Sequence, residues 1–219
     1  MGLDEFLSKI SVYAIPVLFA VTLHEVAHGW AAKRCGDRTA ELLGRLSLNP
    51  LKHVDPVGTL LIPALLLGLR LPFFGWAKPV PLATAALPHP RRALFLVALA
   101  GPAANLAMAL LWGGVLAAAV RAQSGRTVDS WLILMAQAGI VTNIFLGFFN
   151  LVPIPPLDGG RVLTALLPER IGALIQRAEP IGVLLVLGLA ATRGFGWVFK
   201  PAYRAIDYLV SSVWVAAPV

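Results

Sequence analysis

Charged side chains are scarce in this sequence: they make up 13% of its 219 residues, whereas hydrophobic residues make up 58%. A soluble domain of this length carries about 25% charged and roughly 45–50% apolar residues. The shortage excludes a water-facing globule, because too few polar side chains are present to cover its surface. Lipid must therefore contact much of the surface, and the composition predicts an integral membrane protein.

Cysteine is almost absent from the sequence, and basic residues are scarce among its first ten residues. The one cysteine, Cys35, excludes an internal disulfide and a zinc site built from thiolates. The first ten residues, MGLDEFLSKI, are acidic rather than basic, and no small-residue cleavage site follows them. We therefore expect no cleavable signal peptide, and we expect the first apolar run to remain in the protein as a helix.

The net charge of +7 does not indicate a nucleic-acid partner. The basic residues lie between apolar runs, whereas a nucleic-acid interface has them in a stripe with aromatic residues. Lys and Arg between apolar runs are typical of loops that are kept on the cytoplasmic side of a membrane. The expected surroundings are therefore a lipid bilayer, with no nucleic acid.

Three apolar runs are long enough to cross a bilayer of about 30 Å as helices, at residues 10–32, 93–120 and 131–151. A run at 57–69 is shorter than the roughly 20 residues that a spanning helix needs, so it is interpreted as re-entrant or partly spanning. The stretch 161–179 is amphipathic enough to lie near a surface. A final apolar pair follows at 181–192 and 197–215.

Two segments between the first two spans are predicted to be extended. Residues 44–48 alternate in polarity and can form a strand, and residues 74–90 contain too much proline for the interior of a helix. The predicted fold is an all-α polytopic helical bundle with a small extended or β element near the active site. It forms one domain, 1–219, with a core at 10–178 and C-terminal apolar helices at 181–215.

The distribution of Lys and Arg predicts the orientation of the spans. Nine of them lie between the first span and the span at 93–120, whereas Arg121 and Arg126 alone lie in the turn that follows. The first region is therefore expected in the cytoplasm, provided that residues 57–69 do not cross the membrane completely. The end of the first helix and the end of the span at 131–151 then lie on the same, cytoplasmic side.

The sequence HEVAH places His24, Glu25 and His28 within the first predicted span. Positions four apart lie on one face of a helix, so two imidazoles at this spacing can hold one zinc ion. The glutamate beside the first ligand can then act as a base toward water. Ionisable side chains are costly in hydrocarbon and mark a functional site. The alternative is a histidine-bearing helix that faces a polar bundle interior.

A catalytic zinc site needs a third protein ligand and leaves its fourth position to water. Asp158 suits this place best, because it follows the span 131–151 on the side predicted for HEVAH. Gly159 and Gly160, which come next, let backbones approach closely. Asp158 can instead cap the helix that follows it. The other candidate ligands are His53, His89, Asp55 and the remaining acids.

Three motifs resemble the site-2 proteases, a family of intramembrane zinc metalloproteases, and occur in that family's order. They are HEVAHGW at 24–30, GPAAN at 101–105 and NLVPIPPLDGGR at 150–161. The segments at 44–60 and 74–81 are similar to the compact bacterial and archaeal branch, without the family's PDZ or CBS domains. The resemblance extends over most of the chain.

The resemblance implies a zinc metalloendopeptidase that cleaves the transmembrane segments of membrane proteins, as in regulated intramembrane proteolysis. It implies one Zn²⁺ per chain, with His24, His28 and Asp158 as ligands and Glu25 as the catalytic base.

The resemblance also assigns a substrate site and a location. It implies that Asn150 and Asn143 hold an extended substrate backbone, which the segments at 44–48 and 74–81 present to the metal. The implied substrate is a single-span membrane protein. The implied location is a bacterial or archaeal cell membrane, with the active site toward the cytoplasm. An oligomer or a regulatory partner stays open.

Three other functions are weighed against a protease. A transporter or channel can use His24, Glu25 and His28 as a cation path, but it needs polar sites on the far side, where the sequence has no acidic or histidine cluster. An inactive family member acting as a scaffold is disfavoured by the intact motif and Asp158. A soluble-type zinc protease with a membrane anchor is disfavoured because the motif lies within a span.

Overall fold

The computed structural model describes residues 3–61, 65, 78–81, 83, 87–122, 130–191, 196 and 199–215. Three helices in this part are long and apolar enough to cross a membrane: Ser11–Cys35, Pro90–Ala122 and Trp131–Asn150. They confirm the three predicted spans and the all-α polytopic membrane fold. The described residues contain no β-strand.

Helix α1, Leu3–Cys35, carries the HEVAH motif. It ends where Gly36 adopts a φ of 106°, a left-handed conformation that glycine reaches without steric cost. The N–H of Gly36 donates to the carbonyl of Lys33, and the N–H of Asp37 donates to that of Ala32, which is the Schellman pattern of a helix end. The polar exit of α1 is therefore fixed by local sequence.

The predicted strand at residues 44–48 is wrong. After α2, Thr39–Leu42, the chain turns at Gly44, whose φ is 65°, and continues through bends. Arg45 then donates to the backbone carbonyls of Lys52 and Lys78, so the segment is held by a side chain instead of by a neighbouring strand. Alternating polarity indicated a strand, but a strand also needs an adjacent backbone with which to pair.

Two short helical turns follow α2, a 3₁₀ turn at Pro50–Lys52 and a π-helical turn at Pro56–Leu61. The side chain of Asn49 accepts from the N–H of Leu51 at the start of the first turn. The carboxylate of Asp55 accepts from the N–H groups of Val57 and Gly58 at the start of the second. Seven of the 13 residues of the predicted re-entrant run at 57–69 lie outside the described residues, as do eight of the 17 residues of the proline-rich segment 74–90.

Helices α3, Pro90–Ala122, and α4, Ser130–Asn150, form the most extensive helix–helix contact and enclose the main apolar core. Leu116, Ile140 and Ile144 are fully buried there. Helix α1 packs against both of them. Large apolar side chains point outward from all three helices, as a lipid-facing surface requires, among them Phe19, Leu111 and Leu134.

Four further helices follow the predicted spans: α5, Asp158–Leu166; α6, Glu169–Arg177; α7, Glu179–Ala191; and α8, Lys200–Val215. The amphipathic stretch predicted at 161–179 thus consists of α6 and most of α5. The predicted apolar pair corresponds to α7 and α8, which have 13 and 16 residues and are shorter than a typical span of about 20. Helix α8 packs on α3 and α4. The division into one domain stays a prediction.

Candidate metal centre

Helix α1 places both histidines of HEVAH on its buried face. His24 and His28 are 7% and 4% exposed, and their Nε2 atoms lie 3.0 Å apart. The two rings meet edge to face, with their centroids 4.6 Å apart. The spacing of four residues therefore produces the convergence that the helical period predicts.

Asp158, the first residue of α5, joins the two histidines. Its Oδ2 atom lies 3.1 Å from Nε2 of His24 and 3.1 Å from Nε2 of His28. Leu157 occupies the N-cap position of α5, and no side chain caps the helix. Asp158 therefore faces the histidines, and the interpretation of this residue as a helix cap is wrong.

Other parts of the chain hold Asp158 in this position. Cβ atoms added to Gly159 and Gly160 would lie within 2.5 Å of the backbone of Leu151 and 2.6 Å of that of Pro155. The turn between α4 and α5 thus folds tightly over the start of α5, as the two glycines predicted. The second carboxylate oxygen, Oδ1, lies 3.8 Å from the guanidinium of Arg161.

Hydrogen bonds on the far side of each ring define the protonation of the histidines. Nδ1 of His24 lies 2.6 Å from Oδ1 of Asn105, and Nδ1 of His28 lies 2.7 Å from the carbonyl oxygen of Val97. Both oxygens are acceptors, so each Nδ1 carries the hydrogen and donates it. Each Nε2 then turns a lone pair toward Asp158.

This arrangement fits a zinc ion. Oδ2 of Asp158 is buried without a satisfied hydrogen bond, and with both histidines as Nδ1–H tautomers three lone pairs converge on one point. Their separations of 3.0–3.1 Å approach the about 3.3 Å between ligand atoms of tetrahedral zinc with bonds of about 2.0–2.1 Å. No other group of three His, Cys, Asp or Glu donors this close occurs within the described ranges.

Gly101 leaves room beside the cluster. A Cβ atom added at this position of α3 would lie 2.6 Å from Cε1 of both His24 and His28. A side chain here would therefore collide with both imidazoles. The first residue of the GPAAN motif is small because α3 passes directly beside the two rings.

Glu25 is half-buried and is not one of the three converging donors. Its Oε2 accepts a hydrogen bond of 3.0 Å from the backbone N–H of Val80. Val80 is buried and belongs to the segment 74–90, which was predicted to be extended. Its residues 78–81, 83 and 87–90 are described, and helix α3 begins at Pro90, whereas the others form neither helix nor strand. One carboxylate oxygen of Glu25 is thus fixed, and the other has no described contact.

The same segment is tied to the protein at three further points. The N–H of Lys78 donates to the carbonyl of His53, and the carbonyl of Lys78 accepts from Arg45. The N–H of Ala83 donates to the carboxylate of Asp37. These bonds agree with the expectation that irregular backbone near a membrane pairs internally.

The remaining predicted residues occupy different places. Asn150, the last residue of α4, is half-buried, and its amide nitrogen donates to the carbonyl of Leu146. Asn143 is fully buried and bonds to Asn105 and to the carbonyl of Gly139. This burial argues against contact between Asn143 and a substrate.

The alternative ligands lie outside the donor cluster. His53 is buried and donates from Nε2 to the carbonyl of Ser47, whereas His89 is exposed. Asp55 caps the π-helical turn.

Sequence reasoning left Asn105 open as a helix–helix hydrogen bond or a site residue, and it missed two backbone groups that orient the centre, the Val97 carbonyl and the Val80 N–H. For Asn105 a signal was present, since an amide in the middle of an apolar span must find a partner. The two backbone groups carry no side-chain signature, because any residue at 97 and any residue except proline at 80 presents the same atoms.

Comparison with known proteins places the chain in a family. The model of Peptidase family M50 matches residues 112–191, which include Asn143, Asn150 and Asp158. YwhC of Bacillus subtilis, which bears the name of a zinc metalloprotease, is 37% identical over 202 residues, covering 91% of this chain and 89% of its own. No solved structure matches.

Two mycobacterial proteins, also bearing the name of zinc metalloproteases, are similarly close. Rip2 of Mycolicibacterium smegmatis is 36% identical over 96% of this chain and 80% of its own length. Rip2 of Mycobacterium tuberculosis is 35% identical over 87% of this chain and 71% of its own length. The chain therefore belongs to peptidase family M50, the site-2 protease family, and is a multi-pass membrane zinc metalloprotease.

Proposed function

We propose that the protein is an intramembrane endopeptidase, which cleaves the transmembrane segments of other membrane proteins within the bilayer. The observation that carries this proposal is the position of the donor cluster inside a candidate span. His28 and His24 precede Cys35, the end of that span, by about 10 and 16 Å at 1.5 Å per residue. A peptide bond that reaches this cluster lies below the membrane surface.

Three residues would hold the zinc ion, namely His24, His28 and Asp158. Their burial and their converging lone pairs support this assignment. Bound zinc supplies a Lewis acid, which makes water nucleophilic near neutral pH and polarises the carbonyl under attack. The chain supplies the orientation of the donors and the exclusion of bulk water, because α1, α3 and the start of α5 enclose them.

Glu25 would move the proton. It follows His24 directly in sequence but is not one of the converging donors, as expected of a base that does not bind the metal. Its Oε2 is held by the N–H of Val80, so Oε1 is the atom that takes the proton from the attacking water. Oε1 then delivers this proton to the leaving amine as the peptide bond breaks.

A substrate helix must unwind before it is cut, since its carbonyls are occupied by hydrogen bonds within the helix. Asn150 supports this step, because its half-buried amide at the end of α4 lies in the same turn region as Asp158. An amide both donates and accepts, and thus matches the N–H and C=O of an extended backbone. The substrate class proposed is a single-span membrane protein.

The proposed location is a bacterial or archaeal cell membrane, with the active site open to the cytoplasm. Lys33 and Arg34 lie in the last turn of α1, and the chain that follows is rich in basic residues. Such enrichment is typical of cytoplasmic loops. Water would then reach Glu25 from the cytoplasmic side.

The test is cleavage of a single-span reporter protein in liposomes by purified wild type and by Glu25→Gln. Mass spectrometry of the products locates the cut bond. We expect wild type to cut within the apolar span and Glu25→Gln to be inactive with its zinc retained. Cleavage confined to residues outside the span would support a zinc protease anchored beside the membrane. Cleavage by Glu25→Gln at the wild-type rate would remove Glu25 from the mechanism.

A further inference from the structure

A chain of hydrogen bonds joins the metal centre to two buried asparagines on two other helices. Asn105 of α3 and Asn143 of α4 are both 0% exposed. Asn105 contacts His24 of α1 at 2.6 Å, and Asn143 contacts Asn105 at 2.9 Å. Neither asparagine belongs to the donor cluster, so the bonds form a relay behind His24.

The direction of every bond in this relay follows from its two ends. Nδ2 of Asn143 donates to the backbone carbonyl of Gly139 at 2.9 Å, so Oδ1 of Asn143 faces Asn105. Nδ2 of Asn105 donates to that oxygen and to the backbone carbonyl of Ala20 at 3.2 Å. Oδ1 of Asn105 is therefore the atom that faces Nδ1 of His24.

Reversing the Asn105 amide would bring its oxygen against two acceptors, the Ala20 carbonyl and Oδ1 of Asn143. An unpaired polar group in a buried site is costly, and here two would be created at once. The amide is thus locked, and the ring of His24 must present an N–H at Nδ1. Its Nε2 is left with the lone pair that a metal ion binds.

The two histidines differ in the kind of group that accepts a hydrogen bond from Nδ1. Nδ1 of His28 donates to the backbone carbonyl of Val97, which is an acceptor whatever side chain residue 97 has. Nδ1 of His24 depends on side chains alone. Changing an asparagine should therefore affect one ligand and leave the other unchanged.

We propose that Asn105 and Asn143 are positioning residues, which hold His24 in its Nδ1–H tautomer and so set the affinity of the site for zinc. This inference rests on the proposed ligand set. Asn143 acts through Asn105 and touches no metal donor. The family resemblance implied a substrate-binding role for Asn143, and the relay assigns it to the metal centre instead.

The test compares substitutions that remove the acceptor with one that keeps it. Asn105→Leu removes the acceptor for His24, whereas Asn105→Asp in its protonated form keeps that acceptor and an O–H donor on the side of the Ala20 carbonyl and Oδ1 of Asn143. Loss of an outer-shell partner typically lowers metal affinity about 10–100-fold. We expect that loss for Asn105→Leu, a smaller loss for Asn143→Leu, and affinity near that of wild type for Asn105→Asp.

Zinc affinity is measured by competition with a chelator on detergent-purified protein that elutes as a single species. Gln137→Leu is the matched control, because it replaces an amide side chain on α4 outside the relay, and it should bind zinc as wild type does. If Asn105→Asp loses as much affinity as Asn105→Leu, Asn105 serves only as a link between helices and the proposal fails.

A second readout needs no metal. Nitrogen-15 NMR of the four histidines in zinc-free protein reports which ring nitrogen carries the hydrogen. We expect Nδ1–H at His24 in wild type, a shift toward Nε2–H in Asn105→Leu, and no change at His28. An unchanged tautomer in Asn105→Leu would overturn the relay.

The outcomes separate this inference from the proposed function. If Asp158→Ala binds zinc as tightly as wild type, the proposed ligand set fails and the relay fails with it. If Asp158→Ala loses zinc while Asn105→Leu and Asn143→Leu both bind it normally, the ligand set stands and the relay alone is wrong.

Discussion

The metal cluster and the catalytic base are neighbours in sequence, but different kinds of structure hold them. His24 and His28 are fixed by packed helices, through the Asn105 side chain and the Val97 carbonyl. Glu25 lies between them on α1, yet its carboxylate is held by Val80, in a segment whose described residues 78–81 and 83 form neither helix nor strand. Metal binding and proton transfer should therefore respond separately to substitutions in the two regions.

The largest effect is expected at Gly101, on the helical side of this comparison. In Gly101→Ala the new methyl group collides with both imidazoles, so zinc affinity should fall more than the about 10–100-fold of a lost outer-shell contact. Gly114→Ala on the same helix is the control, because its added Cβ meets no atom within 4 Å. Chelator competition measures both. Equal affinities for the two variants would contradict the described packing of α3.

A smaller loss is expected at Gly159, which sets the position of the third donor. A Cβ atom at this residue would lie within 2.5 Å of the Leu151 backbone and push the start of α5 outward. Gly159→Ala should therefore weaken zinc binding roughly 10–100-fold, in the range of other perturbed metal sites. Normal zinc binding by this variant would show that Asp158 is not needed where the structure places it.

In the segment that holds the catalytic base, Val80→Pro removes the backbone N–H that donates to the Glu25 carboxylate. Zinc should stay bound, while kcat for a reporter substrate falls roughly 10-fold, less than the about 10²–10⁴-fold that a positioned general base contributes. Val80→Ala keeps the N–H and is the matched control. If Val80→Pro loses zinc together with activity, the two regions are not separable.

The smallest expected effect is a pH dependence at Asp37, which anchors Ala83. The pKa of Asp37 is lowered from its usual 3.8, since burial, which raises it, is outweighed by hydrogen bonds from Thr39 and Ala83. A lowered pKa in the folded state adds stability above about pH 4, and this stability is lost as the pH falls through the folded value.

The Asp37→Asn variant tests the direction of this change in stability with pH. At pH 7 its melting temperature should lie about 2–4 °C below that of wild type, the change that about 1 kcal/mol produces in a chain of this size. The difference should narrow as the pH falls from about 4 through the lowered pKa of folded wild type, below which its Asp37 carboxyl is protonated too. If the difference in melting temperature between the two proteins increases as the pH falls, the pKa of Asp37 is not lowered in the folded state.

Much of this architecture could be predicted because helical period and apolar length are local properties. The spans around His24, Gly101 and Asn143 follow from runs of apolar residues, and the meeting of His24 with His28 follows from their spacing. Asp158 could be placed on the correct side only by counting charges between spans. Its contact with both rings depends on the turn between α4 and α5, which no periodic pattern describes.

Sequence patterns did not predict features that depend on contacts with residues distant in sequence. Residues 44–48 have the alternation of a strand, but Gly44 turns the chain and the Arg45 guanidinium donates to the carbonyls of Lys52 and Lys78. The family resemblance implied a substrate-binding role for Asn143, and this role stays a prediction. Only its burial against Asn105 showed a different set of partners.

The most direct test of the account is the zinc content of detergent-purified wild type, Glu25→Gln and Asp158→Ala, measured side by side by elemental analysis. We predict one zinc per chain in wild type and in Glu25→Gln, and its loss in Asp158→Ala. Zinc retained in Asp158→Ala, or absent from freshly purified and folded wild type, would contradict the proposed metal centre.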